Sequence, residues 1–216
     1  MNYYISDLHL GHKNIINLDH RPFFDVKEME KTIVMNWNAT VHKNDTVYIL
    51  GDFCWNKADE WCRILKRLKG QKVLIEGNHD LGEYTAELKS LFADIKPYKE
   101  ILDNGRKVIM SHYPILFYKK SNNPNYYMLC GHVHTTKEND YLERFIAEMK
   151  KGSLGEEGIH FKNCAKIYNV GAMMPWMAYT PRTLDEIIRN KDAFSHKSKN
   201  IKSYSQDEVE QIIGKE

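Results

Sequence analysis

The sequence lacks any apolar run close to the roughly 18 residues that a membrane-spanning helix takes, so no transmembrane segment is expected. It is poor in cysteine: the four present, Cys54, Cys62, Cys130 and Cys164, form no CxxC pair. That argues against a structural zinc site and a disulfide framework, and for reduced thiols. It also lacks a charge bias. A formal net charge of +2 gives no strong whole-chain pull towards nucleic acid or membrane. The only local concentration of lysines, Lys191, Lys197, Lys199 and Lys202, reads as a solvated tail. There is no internal repeat, no low-complexity block and no linker. With 216 residues, a single domain over 1–190 is expected, followed by a polar tail over 191–216 with a short helix near 206–213. The first residues enter a strand at once, so no signal peptide and a cytoplasmic location are expected.

What the sequence does have is histidine, ten in all. Five of them, His9, His79, His112, His132 and His134, sit in short stretches of one form: an apolar strand ending in Asp, His or Gly. The stretches are Tyr4-Ile5-Ser6-Asp7-Leu8-His9, Val47-Tyr48-Ile49-Leu50-Gly51-Asp52, Ile75-Glu76-Gly77-Asn78-His79-Asp80, Val108-Ile109-Met110-Ser111-His112 and Leu129-Cys130-Gly131-His132-Val133-His134. His20, His42, His160 and His196 read as surface histidines.

Between these stretches the periodicity alternates between strand and helix. Strands are expected over 3–6, 46–50, 72–76, 95–102, 106–111, 126–130 and 165–170. A helix over 26–41 places Met29, Ile33, Val34 and Trp37 on one face, and a helix over 57–69 does the same with Trp61, Ile64, Leu65 and Leu68 before Gly70. A further helix is expected over 83–92, and Asp103-Asn104-Gly105 is a hairpin signal. Residues 7–24 read as a long polar loop. Residues 136–161 interrupt the rhythm, with a helix over 141–151 and a glycine-rich loop over 152–158; they are an insertion and a candidate lid. A short helix over 183–189 closes the domain. Strand–helix repetition predicts an α/β layered fold, whose ligands bind outside the carboxyl ends of the strands.

Taken singly, each strand-end stretch could be a turn, a cap or a satisfied core histidine. Taken together they put seven nitrogen and oxygen donors at strand ends: Asp7, His9, Asp52, Asn78, His112, His132 and His134. In extended chain, residues two apart point to the same side, so Asp7 with His9, and His132 with His134, could each meet one ion. Asp52, after a glycine, could bridge two. A donor set without sulfur suits Mn²⁺, Fe, Zn²⁺, Co²⁺ or Ni²⁺ better than Ca²⁺.

The order DxH, GD, GNHD, SH, GHxH over residues 7–134, with Asn169-Val170-Gly171 as a closing strand, resembles the calcineurin-like metallophosphoesterase superfamily. The stretch Asp7-Leu8-His9-Leu10-Gly11-His12-Lys13-Asn14-Ile15-Ile16 with Arg21-Pro22-Phe23 is similar to a bacterial and phage subgroup of small single-domain members. The resemblance implies a four-layer α/β/β/α sandwich of two mixed sheets, with the metal site at strand carboxyl ends. It implies one ion held by Asp7, His9, Asp52 and His134 and a second by Asp52, Asn78, His112 and His132. Two divalent transition-metal ions are expected, Mn²⁺ first among them.

The expected function is hydrolysis of a phosphoester bond, with a phosphodiester favoured. Two cations sharing a water would yield a hydroxide nucleophile at neutral pH, and His79, left without a metal, would protonate the leaving group. The substrate is a small phosphoester or a nucleotide; nucleic acid is the less favoured partner. A nucleotide phosphomonoesterase or pyrophosphohydrolase is the alternative, and a non-catalytic metal-binding scaffold the remote one. Phosphoprotein phosphatases of the superfamily follow the GD carboxylate with Asp-Arg-Gly, whereas Asp52 here precedes Phe53-Cys54-Trp55-Asn56, which counts against that class. His12, Asn14 and Arg21 are candidates for contacts to the substrate phosphate or to the groups around the ligands, Arg21 favoured because its planar fork matches phosphate; packing of the loop, with Pro22-Phe23 on the core, is the alternative. Asp80 is a candidate loop tie or cap. Phe53, Trp55, Trp176 and Tyr179 are candidate pocket walls or core residues.

Overall fold

Two four-stranded sheets carry the architecture of this computed structural model, which describes residues 1–151 and 165–201. In the first, β1 (Asn2–Ile5), β2 (Thr46–Ile49), β3 (Gln71–Ile75) and β4 (Asp94–Lys96) lie side by side in that order, all parallel. An antiparallel bridge between Tyr4 and Arg182 adds to the edge at β1. The second sheet is mixed: β5 (Tyr98–Asp103) runs antiparallel to β6 (Arg106–Ser111), and β7 (Tyr126–Cys130) and β8 (Ile167–Asn169) continue parallel to it.

Parallel neighbours need crossovers. After the one-turn α1 (Ile15–Leu18), the helices α2 (Val26–Thr40), α3 (Ala58–Leu65) and α4 (Ala86–Ser90) make those of the first sheet, and α5 (Lys137–Lys151) makes the one between β7 and β8. The expected apolar faces are the buried ones. Met29, Ile33, Val34 and Trp37 of α2, and Trp61, Ile64 and Leu65 of α3, join one core with the first sheet. The two fully buried tryptophans also satisfy their indole N–H groups, Trp37 on Lys69 O (2.9 Å) and Trp61 on Cys54 O (3.0 Å), as buried indoles require.

Strand alternation then divides the second sheet. Val108, Met110, Tyr127 and Leu129 face the core shared with the first sheet, whereas Ile109, Met128, Cys130 and Ile167 pack with Leu142 and Ile146 of α5. The result is a helix–sheet–sheet–helix sandwich, the layering that the sequence led us to expect. The hairpin between β5 and β6 also forms as expected. Asn104 (φ 47°) and Gly105 (φ 78°) both take the left-handed conformation that a two-residue primed turn demands.

Several boundaries differ from expectation. The strand expected over 95–102 is two strands in different sheets, because Pro97 falls between them and has no N–H to continue a ladder. The loop expected over 7–24 contains α1, and the helix expected over 57–69 ends at Leu65. The helix expected over 83–92 is only Ala86–Ser90, started by Thr85, whose hydroxyl accepts from Leu88 N (3.2 Å). The last helix among the described residues, α6 (Leu184–Ile201), runs on into the stretch that read as a polar tail. Lys191 anchors it there: far from solvated, it is 8% exposed, paired with Glu143 of α5 (2.6 Å) and seated over the rings of Tyr168 and Trp176. The loop over 152–158, His160, Cys164 and the helix expected near 206–213 lie outside the described residues. Cys54, Cys62 and Cys130 are buried free thiols. Among the described residues no helix is long and apolar enough to cross a membrane.

Candidate metal centre

All five strand-end stretches meet at one edge of the sandwich. Asp7, His9, Asp52 and His134 offer ligand atoms that all lie within 4.8 Å of one another. His9 Nε2 and His134 Nε2 are 3.2 Å apart, and His134 Nε2 is 3.5 Å from Asp7 Oδ1. Asp52 Oδ2 stands between two imidazoles, 3.4 Å from His9 Nε2 and 3.6 Å from His112 Nε2. On that second side His112 Nε2 is 2.9 Å from Asn78 Oδ1, and the ring of His132 lies 5.2 Å from the ring of His112. The seven residues singled out in the sequence are thus brought together, with Asp52 common to both halves.

The convergence comes about differently from the expected extended i, i+2 pairing. Asp7 (φ 53°), His9 (φ 47°), Asp52 (φ 52°), His132 (φ 69°) and His134 (φ 43°) are all left-handed. The chain therefore turns sharply as it leaves β1, β2 and β7 and folds these side chains over the sheet edge. Asp and His are among the residues that tolerate this region, at a cost of order 1–3 kcal/mol each. Such strain persists only where the surroundings enforce it. Gly51 (φ 85°) and Gly131 show how: a Cβ on the first would overlap His112 Nδ1 and the Gly77 backbone, and one on the second would overlap Asp7 Oδ2 and Ser6 Oγ.

Electrostatics decide what this cluster can hold. His112 Nδ1 lies 2.8 Å from Leu50 O, and a carbonyl can only accept, so Nδ1 carries a proton and Nε2 is the ring atom turned on Asn78 and Asp52. His134 Nδ1 donates to Asp19 Oδ1 (2.8 Å), which leaves Nε2 as the ring atom facing His9 and Asp7. Burial pushes His9 down to about 3, which keeps that imidazole neutral and its lone pair free. Burial also lowers His134, but the hydrogen bonds and charges of Asp19 and Asp7 outweigh it and push it up to about 10. Burial alone would raise Asp7; His134, His112 and the Ser6 hydroxyl (2.6 Å) hold it well below the usual carboxylate range instead. The His9 lone pair and the Asp7 and Asp52 carboxylates, crowded at one point, repel one another until a cation sits among them. The negative charge that retains a proton on His134 would equally retain a divalent ion. A nitrogen and oxygen donor set without sulfur fits Mn²⁺, Fe, Zn²⁺, Co²⁺ or Ni²⁺.

The surrounding groups fix this geometry, and sequence reasoning missed the most important of them. Asp19 is buried between His134 and Arg21, orienting the imidazole in the way carboxylates orient metal-binding histidines. The signal was there: a lone Asp two residues before an Arg, in the loop after the first ligand pair. Asn169 is fully buried and donates to His134 O (3.0 Å). Asp80 proves to be a tie rather than a helix cap: its carboxylate accepts from Gly77 N, Asp52 N and Phe53 N (2.8, 3.1 and 2.9 Å), clamping two ligand turns together. Burial pushes Asp80 up to about 6, against the hydrogen bonds from Gly77 N and Phe53 N. Asp19→Asn should weaken Mn²⁺ binding roughly 10–100-fold, read as a shifted half-saturation in a metal titration; unchanged affinity would remove Asp19 from that role.

The candidate substrate residues fare unevenly. Arg21 does not face substrate, and that expectation is corrected: its side chain is fully buried. Nε and Nη2 donate to Asp19 Oδ2 (3.0 and 2.8 Å), Nη1 to Leu8 O (2.8 Å) and Met29 Sδ (3.6 Å), and Nη2 also to Asp7 O (2.8 Å). Its fork holds the backbone of the first ligand turn, not a phosphate. Asn14 is exposed at the N-cap of α1, with no capping hydrogen bond from its side chain. His12 does reach the centre's rim, stacked on Trp55 with ring centroids 4.0 Å apart and 10° between planes. His79 is exposed there too, its ring 4.9 Å from Trp55 and 5.8 Å from His9. Its backbone N–H donates to Asp52 Oδ1 (2.9 Å). Of the four candidate wall aromatics only Trp55 borders the centre; Phe53 and Trp176 are core residues, and Tyr179 packs on Phe23 and Arg21. His20, His42 and His196 are exposed, as expected.

A sequence model for a family described as calcineurin-like phosphoesterase matches residues 3–161. An uncharacterized protein of Methanocaldococcus jannaschii is 36% identical over 164 residues, 74% of this chain and 84% of that protein. The gene 66 protein of Mycobacterium phage L5 is 37% identical over 81 residues, 36% of this chain and 39% of its own. Among solved structures, a protein of unknown function from Aquifex aeolicus superposes with a TM-score of 0.56 at 30% identity, covering 88% of this chain and 98% of its own.

Proposed function

The chain belongs to the calcineurin-like phosphoesterase family, and from that premise we propose that it is a two-metal phosphodiesterase. Asp7, His9, Asp52 and His134 would hold one divalent ion, and Asp52, Asn78, His112 and His132 a second, with Mn²⁺ as the expected metal. The observation that carries this reading is the position of Asp52 Oδ2 between His9 Nε2 and His112 Nε2, at 3.4 and 3.6 Å, where one carboxylate serves both halves. When bound, such ions offset phosphoryl charge and lower the pKa of water, so that hydrolysis proceeds at neutral pH.

The chain's own residues supply the rest. The His112–Leu50 and His134–Asp19 hydrogen bonds fix which ring nitrogen each imidazole presents. Ser6 Oγ and the His132 backbone N–H (3.1 and 3.2 Å) hold the Asp7 carboxylate in place. His79, exposed beside Asn78 and tied by its backbone to Asp52, would donate the proton that the leaving oxygen takes up. General acid catalysis is worth roughly 10²–10⁴ in rate when the leaving group is poor. His79→Ala should therefore cut turnover of an alkyl ester by about that factor and of a p-nitrophenyl ester far less; equal losses on both would take His79 out of the role. The preference for diesters is supported by Arg21: the one arginine in the loop after the first ligands is buried, so that loop offers no guanidinium to grip the extra charge of a monoester. The direct assay compares bis-p-nitrophenyl phosphate with p-nitrophenyl phosphate using the Mn²⁺-loaded protein. Faster diester turnover that a chelator abolishes is the expected result. Faster monoester turnover would favour the nucleotide phosphomonoesterase reading.

A further inference from the structure

The candidate metal centre has two flanks, and only one is occupied by His79. There, His79, Trp55 and His12 surround His9. On the other flank the imidazole of His132 is shared with a cleft of about 440 Å³ between the turn after β6 and the start of α5. Its walls are almost wholly apolar: Tyr113, Leu116, Leu142 and Phe145, with the exposed ring of Tyr141 at the rim. Tyr113 sets its ring edge-on to both His112 and His132, with centroids 5.2 and 4.5 Å away, so the cleft wall and the centre are one continuous surface. One acidic group, Glu138, lies exposed in the lining.

We propose that this cleft binds the organic group that stays on phosphorus, and that this group is a flat aromatic one such as a nucleoside base. The inference rests on the phosphodiesterase reading above and adds to it a substrate class. A diester carries two organic groups. The one that leaves must lie by the proton donor His79, so the one retained is directed to the opposite flank, past His132. A volume of 440 Å³ is within the range of small-molecule sites and has room for a nucleoside. Tyr113, Tyr141 and Phe145 offer faces and edges on which a base can stack, and the Glu138 carboxylate, an acceptor only, suits the exocyclic amine that adenine, guanine and cytosine carry. A simple alkyl ester would leave these walls uncovered.

The test keeps the leaving group constant and varies only what remains. 2′-Deoxyadenosine 5′-(p-nitrophenyl) phosphate, phenyl p-nitrophenyl phosphate and methyl p-nitrophenyl phosphate all release p-nitrophenol. With the Mn²⁺-loaded full chain, kcat/KM should be on the order of tenfold higher for the nucleoside and phenyl esters than for the methyl ester, mostly through KM. Tyr141→Ala should collapse that ratio, and Leu116→Trp, which fills the cleft from its rim, should collapse it independently. A melting curve of each variant separates lost selectivity from lost fold. Equal kcat/KM for all three esters, or a ratio untouched in both folded variants, overturns the inference and leaves the phosphodiesterase reading standing. No turnover of any ester overturns both.

Discussion

Asp52→Asn should lower kcat/KM for bis-p-nitrophenyl phosphate by about 10³ or more and abolish the stabilisation that Mn²⁺ confers. The substitution keeps the shape of the side chain and one oxygen for the His79 N–H, but it withdraws the charge that both halves of the centre share. Metal assistance is worth several kcal/mol to a phosphoryl-transfer transition state. At 1.36 kcal/mol per tenfold, a loss of about 4 kcal/mol is roughly 10³. In the wild type, Mn²⁺ at about a hundred times its dissociation constant should add about 2.7 kcal/mol of stability. For a chain of this size that raises the melting midpoint by roughly 5–10 °C. Asp52→Asn should melt near the wild type without Mn²⁺, since a buried carboxylate among lone pairs stabilises little by itself, and should show almost no rise with it. Activity within tenfold of wild type, together with an intact Mn²⁺ response, would exclude Asp52 as the shared ligand.

The second large effect is on stability. Arg21→Ala should cost about 3–5 kcal/mol, the usual penalty for removing one partner of a buried ion pair. It leaves Asp19 buried without its guanidinium and the carbonyls of Asp7 and Leu8 without their donor. The melting midpoint should fall by roughly 6–20 °C. Arg21→Lys should recover only part of the loss, because an ammonium cannot span Asp19 and two carbonyls in one plane. Below the new midpoint, KM for a phosphoester should change little. A raised KM with the melting curve unmoved would be the signature of a phosphate-binding arginine, and would contradict the buried position of this side chain.

Arg21 and Asp19 also show where the sequence stopped being legible. The helix faces of α2 and α3, the Asn104-Gly105 turn and the strands that end at the ligands follow from local rules of period, cap and turn, which adjacent residues impose on one another. The seven candidate ligands were legible as a set for the same reason: each lies at the end of an apolar strand, and an α/β sheet gathers strand ends. The division of β4 from β5 hinged on one proline, whose missing N–H is local but whose consequence, a change of sheet, is not. The course of α6 past Asn190 depended on Lys191 meeting Glu143, Tyr168 and Trp176, all distant in sequence.

By itself, then, the sequence determined the layered α/β architecture and which side chains gather at its edge, because periodicity and strand-end placement are properties of short stretches. Only the tertiary structure decided how they gather. It turned Asp7, His9, Asp52, His132 and His134 into the left-handed region, against the extended pairing that spacing alone suggests, because glycine-lined close approaches at Gly51 and Gly131 leave the chain no straighter course. It also assigned Arg21 to the interior and Tyr113 to the rim. Burial and long-range hydrogen bonding set those roles, and no local pattern carries them.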